Sequence, residues 1–193
     1  MAAQHVTISR RDFLIGTAAA GAGLSLGLYL PVGSGRLLAA EQMREVNAWV
    51  VIEPDDTVIV RVARSEMGQG TLTGLAQLVA EELECDWSKV KTEYPTPGQS
   101  LARNRVWGSF STGGSQGIRG SHQYVREGGA LARGLLIEAA ADAWGVPIEE
   151  CSAAASLITH RPTGRATSYG QVAAAAALLV PPLEVELKDP KDW

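Results

Sequence analysis

The chain has 193 residues, of which 46% are hydrophobic and 20% charged, and its formal net charge is −4. This is the composition of a folded protein that is long enough for one domain with its own core. Because the chain is acidic and has no basic footprint, general nucleic-acid binding is excluded and no nucleic acid is expected as a partner.

Residues 1–40 show the pattern of a twin-arginine export signal. Arg10 and Arg11 precede an uncharged run over residues 13–35 that is rich in alanine, glycine and leucine. This run is long enough for a membrane anchor, which takes about 20 residues, and Ala39-Ala40 offers a cleavage site. The signal predicts a periplasmic protein, either cleaved or membrane-associated through its N-terminus. Because this route carries folded proteins, it also predicts a bound prosthetic group.

Residues 41–180 are predicted to form the folded domain, which begins with a hairpin. Apolar residues with a period of two predict strands over residues 46–52 and 57–62. A helix follows, with Thr71 or Thr73 as its expected cap and apolar residues at helical spacing. Its far end is expected to be solvated because three glutamates cluster there: Glu81, Glu82 and Glu84.

The second half of the domain is predicted to hold a strand over residues 90–94, an irregular stretch to residue 110 and a long helix over residues 118–144. Gly128-Gly129 inside this helix indicates close packing, since each glycine costs about 1 kcal/mol relative to alanine. A hairpin over residues 157–167 and a short helix over 169–179 come next, and residues 181–193 are predicted to be a linker to further domains. The fold class is therefore α+β, a small sheet with hairpins packed on two main helices.

Two glycine-rich loops, residues 66–71 (loop 1) and residues 111–117 (loop 2), each run into a predicted helix. Glycines let backbone N–H groups approach a ligand, and the helix behind them adds unpaired donors and a positive dipole end. Such loops are typical of phosphate binding, and two of them indicate a ligand with more than one anionic group. Positive charge is expected around loop 2 from Arg103, Arg105, Arg119, Arg126 and Arg133.

The cysteines and histidines show no metal-binding pattern. Cys85 and Cys151 cannot supply the four thiolates of an ordinary iron–sulfur cluster, and the three histidines are scattered. In an oxidising compartment the two cysteines either pair or remain buried free thiols, and the sequence leaves both alternatives open.

In its ordered set of motifs the chain resembles the molybdopterin-binding large subunits of the xanthine dehydrogenase and aldehyde oxidase family. The nearest branch is the exported isoquinoline 1-oxidoreductase beta-subunit type. The resemblance covers nearly the whole chain. Besides the twin-arginine start, it lies in Asn47-Ala48-Trp49-Val50, Ser65-Glu66-Met67-Gly68-Gln69-Gly70, Ala80-Glu81-Glu82-Leu83, Thr112-Gly113-Gly114-Ser115, Arg126-Glu127-Gly128-Gly129-Ala130, Trp144-Gly145-Val146-Pro147, Glu150-Cys151, Ser168-Tyr169-Gly170 and Leu187-Lys188-Asp189-Pro190.

The resemblance implies that both loops contact molybdopterin cytosine dinucleotide, which carries the molybdenum. Gln69 would use its side-chain amide, and Ser115 would act as a hydroxyl donor. Glu66 is expected to hold loop 1 rather than to catalyse, and for Arg119 phosphate pairing and an ordinary solvated charge remain alternatives. The implied cofactor contacts are Gly68, Gln69, Gly70, Thr112, Gly113, Gly114 and Ser115.

The family's reaction is the water-dependent hydroxylation of aldehydes or N-heterocycles by a molybdenum-dependent oxidoreductase. The resemblance implies an iron–sulfur small subunit with [2Fe–2S] clusters, a cytochrome c subunit and the remaining domains of the large subunit as partners. The family's general base is a glutamate in a Gly-x-Gly-Glu type segment, which these 193 residues lack. The chain is therefore expected to be an N-terminal portion without turnover of its own. The alternative is an exported, non-catalytic anion-binding or interaction module.

Overall fold

The computed structural model describes residues 45–193, so the predicted export signal over residues 1–40 lies outside the described part of the chain. Within it, four helices and two three-stranded sheets confirm the predicted α+β class. The prediction of one small sheet missed the second. No helix of residues 45–193 has the length and apolar character to cross a membrane.

The first sheet contains the predicted hairpin. Strand β1 (Val50–Ile52) runs antiparallel to β2 (Val58–Arg61), and β2 runs parallel to β3 (Val90–Glu93). Strand β1 is shorter than predicted because the side chain of Asn47 accepts the N–H groups of Trp49 and Val50 at 2.8 and 3.0 Å. Residues 46–49 therefore bend instead of extending the strand.

Helices α1 (Thr71–Leu83) and α3 (His122–Trp144) pack against each other and against the first sheet. Their contact confirms the close packing predicted from Gly128-Gly129. A Cβ atom at Gly129 would lie 2.6 Å from the carbonyl oxygen of Val79, and one at Gly128 would lie 2.9 Å from Trp49 Cδ1. Because neither glycine has a side chain, the backbone of α3 can contact the backbone of α1 at Gly129 and the Trp49 ring at Gly128.

The expectation that the three glutamates at the far end of α1 are solvated is wrong for Glu82, which is fully buried. Its carboxylate pairs with Arg126 of α3 at 2.6 Å and accepts the backbone N–H of Lys188 at 3.1 Å. Arg126 in turn donates to the carbonyl oxygen of Lys188 at 2.9 Å. The segment predicted to be a linker is therefore held against α1 and α3 at Lys188, while its continuation into further domains stays a prediction.

The stretch predicted to be irregular contains helix α2 (Pro97–Ala102). Thr96 and Gln99 form a capping box around Pro97, which suits the first turn of a helix. After α2 the chain turns back so that Trp107 is only 2% exposed and donates its ring N–H to the carbonyl oxygen of Ala48 at 3.1 Å.

The second sheet follows α3 and is antiparallel throughout, with strands β4 (Cys151–Ala154), β5 (Leu157–His160) and β6 (Arg165–Ser168). The predicted β5–β6 hairpin is confirmed, whereas β4 was not predicted. Helix α4 (Tyr169–Ala176) comes next, and the buried hydroxyl of Tyr169 donates to the carbonyl oxygen of Leu83 at 2.6 Å. This bond joins the first residue of α4 to the C-terminal end of α1.

Candidate functional site

The two glycine loops lie side by side and touch at both ends. At the start, the backbone N–H of Ser65, the residue directly before loop 1, donates to the hydroxyl of Thr112 in loop 2 at 2.9 Å. At their end, a Cβ atom at Gly117 would lie 2.8 Å from Thr71 Oγ1. Of the seven residues predicted as cofactor contacts, Thr112 is half-buried and the other six are exposed. The structure therefore brings the predicted residues together on one surface.

Loop 1 is held by the carboxylate of Glu66. One oxygen accepts the N–H groups of Gly68 at 2.7 Å and Gly70 at 3.0 Å, and the other accepts that of Leu72 at 3.0 Å. The bond from Leu72, followed by those from the loop amides, lowers the pKa of the Glu66 carboxyl. Glu66 thus occupies the place where a ligand anion would meet the N-terminus of α1.

This arrangement bears on two expectations for loop 1. Glu66 does hold the loop, as expected. The prediction that Thr71 or Thr73 caps α1 is wrong, because the N-cap residue is Gly70 in the left-handed conformation (φ 77°) and makes no side-chain cap bond. Gly68 is left-handed as well (φ 93°), and no atom lies within 4 Å of a Cβ at either glycine. These two glycines are therefore needed for the turn rather than for space.

The side-chain amide of Gln69 is oriented by its own loop. Its nitrogen donates to the carbonyl oxygen of Ser65 at 2.8 Å, and its oxygen accepts the N–H of Met67 at 2.6 Å. A primary amide has two N–H donors and an oxygen with two lone pairs. One donor and one lone pair of the exposed Gln69 side chain therefore remain for a ligand.

Loop 2, in contrast, has backbone donors without protein acceptors. Within residues 45–193, no acceptor receives the N–H groups of Gly113, Gly114 and Ser115, and the Ser115 hydroxyl makes no hydrogen bond to these residues either. Gly114 and Ser115 are both left-handed, with φ 57°. Successive N–H groups in such a turn form a concavity that suits an anion.

Helix α3 begins later than predicted. Residues 118–121 form turns, in which Gly120 N–H bonds to the carbonyl oxygen of Gln116 at 2.9 Å and Ser121 N–H to that of Ile118 at 2.9 Å. The first helical residue is His122 rather than Ile118. The free donors of loop 2 therefore belong to the loop itself and not to the first turn of α3.

Arg64 is a residue of this site that the sequence reasoning missed. Its Nη1 donates to the carbonyl oxygens of Ser109 and Ser111, both at 2.7 Å, and its Nε donates to the hydroxyl of Ser121 at 3.0 Å. The guanidinium of Arg64 thus connects residues on both sides of loop 2 to the backbone that follows β2 and precedes loop 1. We call residues 109–121 the loop 2 segment. The only sequence signal was its position directly before Ser65-Glu66.

Of the five arginines expected around loop 2, Arg133 is half-buried on α3 and lines a cavity with residues 186–192. The other four divide into two groups. Arg103 pairs with Glu45 at 2.6 Å and Arg126 with Glu82 at 2.6 Å, so both serve internal ion pairs. Arg105 and Arg119 are exposed, and their side chains make no hydrogen bond or ion pair within residues 45–193. Arg119 therefore remains open to both alternatives stated for it.

The described residues show no cluster of three or more histidine, cysteine or acidic side chains that could hold a metal ion. Both cysteines are free, with Cys151 buried and Cys85 half-buried. Burial raises the pKa of the Cys85 thiol to about 12 and also raises that of Cys151. Of the two alternatives for the cysteines, the structure contains the free thiols, although only Cys151 is buried.

The family profile described as "Molybdopterin cofactor-binding domain" matches residues 4–191. The chain is 30% identical over 177 residues to "Membrane-bound aldehyde dehydrogenase [pyrroloquinoline-quinone]" of Gluconacetobacter polyoxogenes and 30% identical over 178 residues to "Isoquinoline 1-oxidoreductase subunit beta" of Brevundimonas diminuta. Each alignment covers 89% of this chain but only 22% of the relative. The chain thus spans about a fifth of the length of these relatives.

Two similar solved structures are a quinoline 2-oxidoreductase from Pseudomonas putida 86 and a Cu,Mo-CO dehydrogenase. The first has a TM-score of 0.44 and 18% identity over 67% of this chain and 16% of that chain. The second has a TM-score of 0.49 and 19% identity over 65% of this chain and 15% of that chain.

Proposed function

The chain belongs to the molybdopterin cofactor-binding domain family, and we propose that it binds the cytosine dinucleotide form of molybdopterin as the N-terminal portion of a molybdenum hydroxylase large subunit. The observation that carries the proposal is the pairing of the two glycine loops on one surface, with the backbone N–H groups of Gly113, Gly114 and Ser115 free to donate.

The donors on this surface fit an anionic pterin dinucleotide. Successive backbone N–H groups and a hydroxyl suit phosphate oxygens, and loop 2 offers both. Gln69 offers a donor and an acceptor on a side chain already fixed by Ser65 and Met67, which suits the mixed donors and acceptors of a pterin edge. We assign phosphate binding to loop 2 and pterin recognition to Gln69, with Gly68, Gly70 and Thr112 shaping the surface.

When bound, the cofactor would supply the redox chemistry, taking electrons from an aldehyde or an N-heterocycle that is hydroxylated with oxygen from water. The part of this chain is to hold and orient the cofactor. Glu127 is not a candidate base, because it lies within α3 and accepts the side-chain N–H of Gln123 at 2.8 Å. We therefore propose that catalysis needs further polypeptide and that this chain alone shows no turnover.

We further propose the partners and location that the motifs imply. The proposed location is the periplasm, reached by the twin-arginine route, with membrane association as an option. The proposed partners are an iron–sulfur small subunit carrying [2Fe–2S] clusters and a cytochrome c subunit. The proposal is supported by Arg10-Arg11 and the apolar run behind them, and by the similarity to relatives named as a membrane-bound enzyme and as a beta subunit.

Cofactor analysis of the purified protein tests the proposal. The full chain, together with any polypeptide encoded in continuation with it, is expressed in a host that makes molybdopterin cytosine dinucleotide. Molybdenum is measured by mass spectrometry, pterin by the fluorescence of its oxidised form and cytidine monophosphate after hydrolysis. We expect all three in the wild type and a loss of at least about tenfold in a Gln69→Ala, Ser115→Ala double variant, since each change removes hydrogen bonds to the ligand.

A matched double variant, Gln123→Ala with Ser152→Ala, removes the same residue types outside both loops and is expected to keep the cofactor. Pyrroloquinoline quinone, which the name of one relative contains, is assayed in the same samples. Finding that quinone and no pterin would contradict the proposal.

The second candidate is an exported, non-catalytic module that binds another anion or a protein partner at the same loops. It is favoured by the free backbone N–H groups of loop 2. Such groups bind negative charge without selecting one particular ligand. Binding of diphosphate by the purified chain without any molybdenum or pterin would select this alternative.

A further inference from the structure

We propose that Arg64 is a ligand-binding residue of this site and that, with the N–H groups of Gly113, Gly114 and Ser115, it holds a phosphate or diphosphate group. The inference rests on the proposed function, which supplies the anionic ligand. It concerns a residue outside both glycine loops, and it assigns to Arg64 the positive charge that neither loop contains.

The guanidinium of Arg64 retains free donors. It has five N–H groups, of which one on Nε reaches Ser121 and two on Nη1 reach Ser109 and Ser111. No acceptor among residues 45–193 receives the two N–H groups of Nη2. The group is rigid and planar, so the free nitrogen is fixed by the same bonds that tie the two ends of the loop 2 segment.

The charge of Arg64 has no protein counter-ion among the described residues. Its three acceptors are two backbone carbonyls and a hydroxyl, all of them neutral. In contrast, Arg61 pairs with Glu45 at 2.5 Å and Arg126 with Glu82 at 2.6 Å. A half-buried guanidinium that lacks a carboxylate gains most from an anionic ligand, because charge-assisted bonds are stronger than neutral ones.

Arg64 also lies within reach of the free amides. It binds the carbonyl oxygen of Ser111, and Gly113 follows only two residues later, a distance of at most about 7 Å along an extended chain. Its other anchor, Ser121, is fully buried and accepts the hydroxyl of Tyr124 at 2.7 Å. The cation is therefore held rigidly beside loop 2, as a preorganised binding site requires.

Loop 1 does not compete for the same anion. Its amides at Gly68, Gly70 and Leu72 already donate to the Glu66 carboxylate. The negative charge of Glu66 opposes a second anion there, whereas loop 2 has both free amides and a cation. The structure thus directs the anionic group to loop 2 and Arg64.

Anion titrations of the full 193-residue chain test the inference. Inorganic phosphate, pyrophosphate and cytidine diphosphate are titrated by calorimetry, so that binding of phosphate, diphosphate and nucleotide is distinguished. We expect Arg64→Gln to weaken pyrophosphate binding about ten- to hundredfold, which is the effect of losing hydrogen bonds from a charged group. Arg64→Lys keeps the charge but not the planar fork, and it is expected to lose less affinity than Arg64→Gln. Lys91→Gln removes an exposed charge on β3 and is expected to change the affinity less than twofold.

Hydrogen exchange of residues 109–121 separates ligand binding from loop positioning. If Arg64→Lys loses as much affinity as Arg64→Gln while loop 2 exchanges faster in both, Arg64 only positions the loop and the inference is overturned. Unchanged affinity in Arg64→Gln, or no binding of any of the three anions by the wild type, overturns it as well.

Repeating the titrations on the protein prepared for the cofactor analysis keeps this inference apart from the proposed function. Arg64-dependent diphosphate binding in a protein that contains no molybdopterin would support the inference and reject the proposed function. Molybdopterin in the wild type together with pyrophosphate binding that does not depend on Arg64 would do the reverse.

Discussion

The carboxylate of Glu66 accepts the backbone N–H of Leu72 at 3.0 Å, so that a side chain from before the glycines caps helix α1. The same carboxylate also accepts the backbone N–H groups of Gly68 and Gly70. Loop 1 is therefore ordered from within by a negative charge of the protein itself. This leaves loop 2 as the member of the pair with donors available to an anionic ligand.

The Glu66 cap predicts a pH-dependent contribution to stability. Because its pKa is lowered in the folded state, the contribution is complete above the unfolded pKa of about 4.3 and is lost as the pH falls through the folded value. Glu66→Gln is expected to lower the melting temperature at pH 7 and to melt like the wild type near pH 2. Thermal unfolding across this range measures the difference. Glu184→Gln, at an exposed site, is the control, and a gap that persists at low pH would contradict the assignment.

Two glycines of α3 are predicted to respond to alanine in opposite directions. At Gly129 a Cβ atom would lie 2.6 Å from the backbone of α1, so Gly129→Ala is expected to destabilise the fold by about 1–3 kcal/mol. At Gly134 no atom lies within 4 Å, and alanine is expected to stabilise the helix by up to about 1 kcal/mol. Urea unfolding of the two variants measures both values. Equal effects would mean that α3 does not approach α1 at Gly129.

The buried ion pair of Glu82 and Arg126 is predicted to contribute far more to the free energy of unfolding than the neighbouring, more exposed pair of Glu81 and Lys188. Glu82→Gln leaves the Arg126 charge without its carboxylate and is expected to cost about 3–5 kcal/mol. Glu81→Gln breaks the pair with Lys188, in which Glu81 is 37% exposed, and is expected to cost less than about 1 kcal/mol. Chemical unfolding compares the two, and a similar cost for both would show that Glu82 is solvated.

The cysteines are predicted to be unreactive in the folded protein. Because burial raises the pKa of Cys85 to about 12, almost no thiolate is present at pH 8. A thiol reagent is expected to label neither Cys85 nor Cys151 in the native chain and both after denaturation. Native labelling of the Cys151→Ser variant isolates Cys85, and rapid reaction there would contradict the raised pKa of its thiol.

Sequence patterns predicted the elements whose hydrogen bonds join residues close together along the chain. The apolar spacing of Leu75, Val79 and Leu83 predicted α1, and Gly145 ends α3 in the left-handed conformation with φ 65°. Helix α2 was not predicted, although Thr96 and Gln99 form its capping box, because Pro95, Pro97 and Gly98 beside them are also typical of a turn.

Other features had no local signal. Strand β4 lacks a clear alternating pattern and is fixed by its register with β5, in which Cys151 lies opposite His160. Helical spacing does place Glu82, unlike Glu81 and Glu84, on the same face of α1 as Leu75 and Val79, but its partner Arg126 has no local signal. The burial of Glu82 follows from the crossing of α1 and α3 at Gly129, which turns Glu82 toward Arg126.

The sequence by itself determined the family, because an ordered set of short motifs survives in one chain, and it determined both glycine loops, because their turns need glycine. Only the tertiary structure decided which donors of those loops are free. Glu66 closes loop 1, and Arg64 crosses to Ser109, Ser111 and Ser121. The Glu66 bonds are local, whereas the Arg64 bonds depend on where the packed helices and the first sheet place residues that lie far apart along the chain.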